Sequence, residues 1–154
     1  MDYLLYWKPQ TVNLTLARGG SLDHAASEQL HRVSTGDTLW IVTVRSGSLR
    51  LIARLRVGHV TDREGASRLL GTDDLWEANH HVVAQDNTAE ALTEVGIDHL
   101  ASSLRFESQV GKDRLAIDDG YVKAQQLQTM RILTWESALS LQQIWEKTDE
   151  RPMQ

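Results

Sequence analysis

Two neighbouring segments near the middle of the chain carry its clearest pattern of apolar and polar positions. Residues 36–44 lead from Gly-Asp into an apolar run, and residues 49–60 alternate between apolar and polar side chains with a period of two. This period is typical of β-strands, and Gly47 between the segments can adopt the positive φ of a tight turn. The pattern predicts one long β-hairpin. Its second strand is expected to have an apolar face (Leu49, Leu51, Ala53, Leu55 and Val57) and an opposite face with Ile52, Arg50, Arg54 and Arg56.

Weaker patterns on both sides of the hairpin predict short strands and helices. Strands are expected at residues 3–7, 79–84, 104–106 and 115–117, and residues 10–24 and 109–114 are expected to be irregular or loop. Helical segments are expected at residues 25–33, at 62–70 (helix or loop, ended by Gly71) and at 88–100 with a break at Gly96. Thr134 is expected to cap a final helix whose buried stripe contains Ala138, Leu141 and Trp145, widened by Leu139.

These elements predict an α+β domain with a curved, barrel-like sheet, short flanking helices and a closing C-terminal helix. Residues 1–148 are expected to form this single domain, and residues 149–154 a frayed polar tail.

Charge and composition narrow the possible functions. The net charge is −5, but residues 1–70 hold nine Lys and Arg against six Asp and Glu, whereas residues 71–154 hold seven against fifteen. An acidic total disfavours indiscriminate binding to nucleic acid, although the first half permits a local basic surface. The chain has no cysteine, its first residues do not resemble a signal peptide, and no apolar run is long enough to span a membrane. A soluble cytoplasmic protein without a membrane partner is therefore expected.

The sequence offers no evident catalytic or metal-binding motif. Its six histidines lack the spacing of a metal site, and neither a nucleophile elbow nor a phosphate-binding loop occurs. We therefore expect no metal, no cofactor and no enzymatic activity in this chain. The histidines are expected to be surface residues or hydrogen-bonded core residues.

Five tryptophans against one phenylalanine form an unusual aromatic set. Trp40, Trp135 and Trp145 lie in predicted regular elements, and we expect them to pack in the core. Trp7 lies at the end of the first predicted strand, and Trp76 lies in a polar loop before residues 79–84. Both positions leave an indole available to stack on a planar ligand such as a nucleobase, or to cover the end of a barrel.

The order of these segments resembles the PUA-like superfamily and, within it, the EVE and YTH branch of modified-base readers. The resemblance covers nearly the whole chain. It depends on residues 3–9 as an opening strand, 36–42 and 49–60 as the next strands, 75–77 ahead of 81–83, and 126–134 as a closing segment.

The resemblance implies a domain that binds DNA or RNA carrying a modified, methylated base, flipped out or unpaired, in an aromatic pocket. It implies Trp76 as a pocket wall, with Trp7 and Asn79 as further base-binding candidates. Arg50, Arg54 and Arg56 are candidates for phosphate contacts, and any nuclease activity would come from another domain or a partner protein. Two other interpretations stay open: a small-molecule or nucleotide-processing enzyme on the same scaffold, and a protein interaction domain.

Overall fold

A mixed β-sheet lies at the centre of the fold in the computed structural model, which describes residues 1–85, 90–108 and 112–149. The strands are β1 (Asp2–Tyr6), β2 (Ser21–Leu22), β3 (His24–Ala26), β4 (Thr38–Arg45), β5 (Ser48–Thr61), β6 (His81–Ala84), β7 (Glu90–Ala91), β8 (Val95–Gly96), β9 (Ile117–Asp118), β10 (Tyr121–Val122) and β11 (Arg131–Ile132). The α-helices are α1 (Pro9–Ala17), α2 (Arg63–Leu70), α3 (Asp98–Ala101) and α4 (Trp135–Asp149), and two 3₁₀ helices span Glu28–Arg32 and Ala124–Leu127. This content confirms the α+β class.

The sheet has the strand order β11-β1-β4-β5-β6-β3, with β8 added along β5. β1 pairs with β4 in parallel, and the other pairs of this sheet are antiparallel. Two smaller antiparallel pairs, β2 with β7 and β9 with β10, lie outside it. Within the described residues, none of the helices is long and apolar enough to cross a membrane.

The predicted hairpin is confirmed as β4 and β5. Its turn consists of Ser46 and Gly47, whose φ angles of 51° and 78° are both positive, as a type I′ turn requires. A Cβ atom on Gly47 would lie 2.4 Å from the ring of Tyr121. Glycine is therefore required here both by the backbone and by the neighbouring ring.

A β-bulge at Ile52 makes the prediction of a single apolar face on β5 wrong. The register passes from Ile41 opposite Ala53 to Val42 opposite Leu51, so Ile52 is an extra residue. Leu49 and Leu51 consequently pack in one core cluster, whereas Ala53, Leu55 and Val57 pack in another. The same bulge separates the arginines of β5, because Arg50 comes before it and Arg54 and Arg56 come after it. Arg50 therefore lies on the opposite face of the sheet from Arg54 and Arg56.

Two apolar cores therefore lie on the two faces of the sheet. The first core, on the side of α1, includes Leu5 and Val12, and Trp7 packs against it. The second core, on the side of α4, includes Trp40, Leu141 and Trp145. Trp40 is 1% exposed, and its indole N–H donates to Asp2 over 2.8 Å.

Helix α4 confirms the predicted cap and stripe but not all of the predicted apolar face. The Oγ1 of Thr134 accepts from the N–H of Ser137, and Ala138, Leu141 and Trp145 are buried. Trp135 and Leu139 are 73% and 48% exposed, so the prediction that Trp135 packs in the core is wrong. At about 100° per residue, both lie about 90–130° away from the buried stripe.

Residues 10–24 are not irregular, and residues 25–33 are not one helix. α1 begins at Pro9, where the missing N–H costs no hydrogen bond, and ends before Gly19 and Gly20, whose φ angles are positive. β3 pairs with β6 and contains Ala25, and the 3₁₀ helix that follows is capped by Ser27, whose Oγ accepts from the N–H of Gln29. Strand pairing at long range thus overrides the local helical pattern.

The remaining predictions have mixed outcomes. α2 and its end at Gly71 (φ 71°) are confirmed, as are a strand within residues 79–84 and a weak strand near residue 117. Residues 104–106 contribute only the isolated bridge of Phe106 with Leu133. Residues 90–100 contain β7, β8 and a single helical turn, because the first two pair with β2 and β5. Residues 88–89, 109–111 and 150–154 of the predicted elements and tail lie outside the described residues, and Asp149 belongs to α4.

Candidate functional site

A cleft of about 430 Å³ lies where β1 ends and α1 begins. This volume is within the range of small-molecule sites, which is about 300–1,000 Å³. Three segments form its walls, and its lining side chains come from residues 5–8 and 11, residues 26–29, and residues 76–78.

The chain direction at Lys8 places Trp7 at the edge of this cleft. The residue before a proline is restricted to extended conformations, and Lys8 has φ −62° and ψ 148°. The N–H of Trp7 still donates to the carbonyl of Val42 over 2.9 Å, which continues the β1–β4 pairing. Trp7 is therefore fixed by its backbone at the end of the sheet, with its indole only partly buried.

Trp76 lies in a loop that is held at both ends but exposes its indole. Before Trp76, the Nη2 of Arg63 donates to the carbonyl of Asp73 over 2.9 Å, and Ser67 hydrogen bonds to the Asp73 carboxylate. After it, the carbonyl of His80 accepts from the N–H of Ser27 over 3.1 Å. The side chain of Trp76 is 47% exposed and lines the cleft together with Trp7.

A second cavity of about 340 Å³ shares both indoles with the first. Its other walls come from Leu14, Thr15 and Arg18, at and just after the end of α1, and from Gly19, residues 21–24 and Asp74. Trp7 and Trp76 thus stand between two adjoining cavities. Among the described residues that line this second cavity, one ion pair is present: Arg18 lies 3.5 Å from Asp74, and both side chains are exposed.

Glu28 provides an oriented carboxylate in the wall of the cleft. Its Oε1 accepts from the backbone N–H of Asn79 over 2.6 Å, and its Oε2 accepts from the side-chain amide of Asn79 over 3.1 Å. The backbone N–H of Asn79 is the main reason that the pKa of Glu28 lies below its ordinary value. Asn79 itself is absent from the lining, so this predicted base-binding residue affects the cleft through Glu28.

Two histidines form a hydrogen-bonded pair beneath the Trp76 loop. The His24 Nε2 lies 3.0 Å from the His81 Nδ1, and the two ring planes are inclined by only 15°. The other nitrogen of His81 lies 2.9 Å from the carbonyl of Ala78, which can only accept. His81 therefore donates to Ala78 and accepts from His24. Burial, more than the neighbouring His81, lowers the pKa of His24 to about 4.

These histidines match the expectation of hydrogen-bonded core residues. Across residues 1–85, 90–108 and 112–149, no group of three or more His, Asp or Glu side chains is placed to hold a metal ion.

The three candidate phosphate-binding arginines do not gather at the cleft. Arg54 is 7% exposed and forms an ion pair with Glu90, while its Nη1 donates to the Gln142 side chain over 2.9 Å. Its guanidinium also lies 5.7 Å from the ring centre of Trp145. The guanidinium of Arg54 thus has its partners inside the protein, and Arg54 does not line the cleft.

Arg50 lies on the other face of the sheet from Arg54 and Arg56, and Arg56 lies at the end of the sheet away from the cleft. Arg50 lies 3.8 Å from Glu94 on the face of α1. Arg56 is exposed and lies opposite Thr38 in the register of β5 with β4. Thr38 in turn lies opposite Asp2, at the end of β1 that is far from Trp7. At about 3.3 Å per residue, the five residues from Asp2 to Trp7 separate this end from the cleft by about 16 Å. Lys8 is the basic side chain that the structure does place in the cleft.

Comparison with known proteins adds little to this geometry. No protein-family model matches the chain, and no curated protein matches it. Among solved structures, the chain is similar to one described as a hypothetical protein from Leishmania major, with 14% sequence identity and a TM-score of 0.47. That match covers 97% of this chain and 96% of the other.

Proposed function

We propose that the cleft binds a single nucleobase of DNA or RNA, flipped out or unpaired and methylated, without catalysing a reaction on it. The supporting observation is the pair of incompletely buried indoles, Trp7 and Trp76, beside a cleft of about 430 Å³. Stacking of a base on an aromatic side chain is worth about 1–3 kcal/mol. Extruding a base from a duplex costs a few kcal/mol, which such stacking and edge contacts can offset.

The same proposal includes the PUA-like superfamily, with its EVE and YTH branch, and a barrel-like sheet. The support is the irregular register of β5. This strand has register irregularities near Ile52 and near Gly58, and bulges bend a strand and increase its twist. In this proposal a nuclease, if one acts on the bound nucleic acid, belongs to a partner chain or another domain.

The test uses matched tryptophan variants. Trp76→Ala is expected to weaken binding to a methylated oligonucleotide by about tenfold or more, because it removes one stacking surface. Trp135→Ala removes an equally large but still more exposed indole from α4, and its affinity is expected to equal that of the unaltered protein. Fluorescence anisotropy with oligonucleotides that carry different methylated bases, or none, measures both. Equal affinity of the Trp76 and Trp135 variants for every oligonucleotide would contradict the proposal.

Salt dependence distinguishes this mode from general electrostatic binding. Among the basic residues that the structure describes, Lys8 alone lines the cleft, so about one phosphate contact is expected. Raising salt from 50 to 200 mM should then lower the affinity by about threefold, using a slope of about −0.7 for one contact with a single strand. A loss of a hundredfold would indicate a wide basic surface instead, and the arginines of β5 would return as candidates.

A second candidate function is an enzyme acting on a small molecule derived from a nucleotide. Lys8, Thr11 and Glu28 converge on the cleft, and such groups can transfer protons or activate a nucleophile. The cleft is open to solvent along the exposed Trp76, which is less favourable for such chemistry than a closed site. Turnover of a nucleoside or nucleotide that is lost in Glu28→Gln, followed by chromatography, would favour this candidate over the reader.

A further inference from the structure

We infer that Glu28 makes the cleft selective for nucleobases that present an amino group, over bases that present a carbonyl at the same position. This inference rests on the proposed function and names the class of base. Its origin is Glu28, which lines the same cleft as the two indoles and whose carboxylate is oriented by Asn79. The indoles alone stack on any base, so they carry no information about the base edge.

The hydrogen bonds of Glu28 determine what it can still bind. A carboxylate has about four acceptor positions and no donor. The backbone N–H and the side-chain amide of Asn79 each occupy one position, on different oxygens. Each oxygen therefore retains acceptor capacity, and both oxygens are held in place by one residue. Only a ligand with N–H or O–H donors can use what remains.

The protonation state supports the same conclusion. Donation from Asn79 keeps the pKa of Glu28 below its ordinary value, so the carboxylate is ionised at neutral pH and does not donate. A carbonyl oxygen placed against it would be repelled, whereas an amino group would form a charge-assisted hydrogen bond. Acidic side chains read the amino group of cytosine in this way in the major groove of DNA.

Beside Glu28 in the same segment, Gln29 has its amide engaged elsewhere, whereas the donors Lys8 and Thr11 come from a different segment of the lining. Gln29 also lines the cleft, but its amide donates to the carbonyl of Gln128 over 3.0 Å, and its Oε1 accepts from the N–H of Met130. Glu77 adds a second acidic side chain to the lining. Glu28 and Glu77 are thus the acidic side chains of this lining, and Glu28 is the one that hydrogen bonds to Asn79 hold in place.

The test uses pairs of bases that differ only on the Watson–Crick edge, where one member has an amino group beside an unprotonated ring nitrogen and the other has a carbonyl beside a ring N–H. 5-Methylcytosine and thymine share the methyl group and ring size but present an amino group and a carbonyl, respectively. Adenine and hypoxanthine form the corresponding purine pair. Each base is placed at the centre of an otherwise identical single-stranded oligonucleotide, and an abasic centre gives the background affinity.

The comparison is made in each pair of bases whose binding exceeds the abasic background and is lost in Trp76→Ala. In such a pair, the base with the amino group is expected to bind about tenfold tighter, or more, than the base with the carbonyl. In Glu28→Gln the preference is expected to fall below about threefold, because an amide can donate to a carbonyl as well as accept. Glu64→Gln removes the same charge from the exposed face of α2, where the side chain lies 3.6 Å from Arg68, and should leave the preference unchanged.

The possible failures are distinguishable. Trp76-dependent binding with no preference within the pairs, or with the same preference in Glu28→Gln, overturns the role of Glu28 and leaves the reader intact. Binding that never exceeds the abasic background, or that ignores Trp76, overturns the proposed function and this inference with it. Circular dichroism of Glu28→Gln establishes that the fold is retained.

Discussion

Two sites on opposite faces of the sheet combine tryptophan with a charged side chain, yet they differ in almost every physical respect. At the closed site, Trp145 is 4% exposed and lies against the buried Arg54, which is paired with Glu90. At the open cleft, Trp76 is 47% exposed, and Glu28 is held by Asn79 at the surface. At the closed site, the polar groups of Arg54 and Glu90 have partners inside the protein. At the cleft, the indole of Trp76 and the remaining acceptor positions of Glu28 are accessible to solvent.

The comparison shows that residue type alone does not identify a binding site. From the sequence, Arg54 was a candidate phosphate ligand because it alternates with other arginines on one strand. Its burial and its ion pair make it a structural residue. Glu28, an acidic residue in an acidic protein, has instead the exposure and fixed geometry that ligand recognition needs.

The largest difference between the two sites is expected in their contribution to stability. Trp145→Ala should lower the free energy of unfolding by about 3–5 kcal/mol, because it leaves a cavity in the second core. Trp76→Ala should change it by less than about 0.5 kcal/mol, as for other exposed positions. Urea denaturation followed by circular dichroism measures both. A large loss in Trp76→Ala would mean that this indole supports the fold and is not held free for a ligand.

A smaller effect is expected from breaking the closed ion pair. Arg54→Met should lower the free energy of unfolding by about 2–3 kcal/mol, because Glu90 is left mostly buried without its partner. Arg56→Met, two residues along the same strand face but exposed, should have almost no effect. If Arg54→Met is as stable as Arg56→Met, the pair is not the internal contact described above, and Arg54 becomes available as a phosphate ligand again.

The smallest loss of stability is expected when the pH is lowered, and it comes from His24, which lies on the same side of the sheet as the cleft. The pKa of His24 is lowered to about 4 in the folded protein, against about 6.5 unfolded, so the unfolded chain binds the proton first. Stability from this residue is therefore lost as pH falls from 6.5 towards 4, by about 1–2 kcal/mol in total after allowance for its partial exposure.

The comparison that isolates this contribution is between the parent protein and His24→Asn. Unfolding curves at pH 7, 5.5 and 4.5 should show a steeper loss of stability in the parent. Parallel curves would mean that His24 is already solvated in the folded state and does not support the Trp76 loop through His81.

Local patterns in the sequence were sufficient for the elements that bury a regular face. The hairpin and the stripe of α4 follow from periods of 2 and 3.6, and both are confirmed. α1 was missed because Val12 is its one buried residue, so no apolar stripe marks the helix. The bulge was missed because Ile52 is apolar and fits either face, so the sequence carries no sign that it is an extra residue.

The cleft was predictable only in part, for a related reason. Trp7 and Trp76 stood out because one ends a strand before proline and the other lies in a polar loop, and the structure brings both to one cleft. Glu28 was not found, since residues 25–33 were expected to be a helix. Its partner Asn79 is 51 residues away, and that contact exists only once β3 pairs with β6.

The bulge at Ile52 has a consequence for how the molecule can change over time. One inserted residue lets a single strand serve both cores, with Leu49 and Leu51 on the side of α4 and Ala53, Leu55 and Val57 on the side of the cleft. Substitutions on either side of residue 52 can therefore adjust one half of the protein with little cost to the other. Deleting that residue would instead turn every later side chain of the strand over at once.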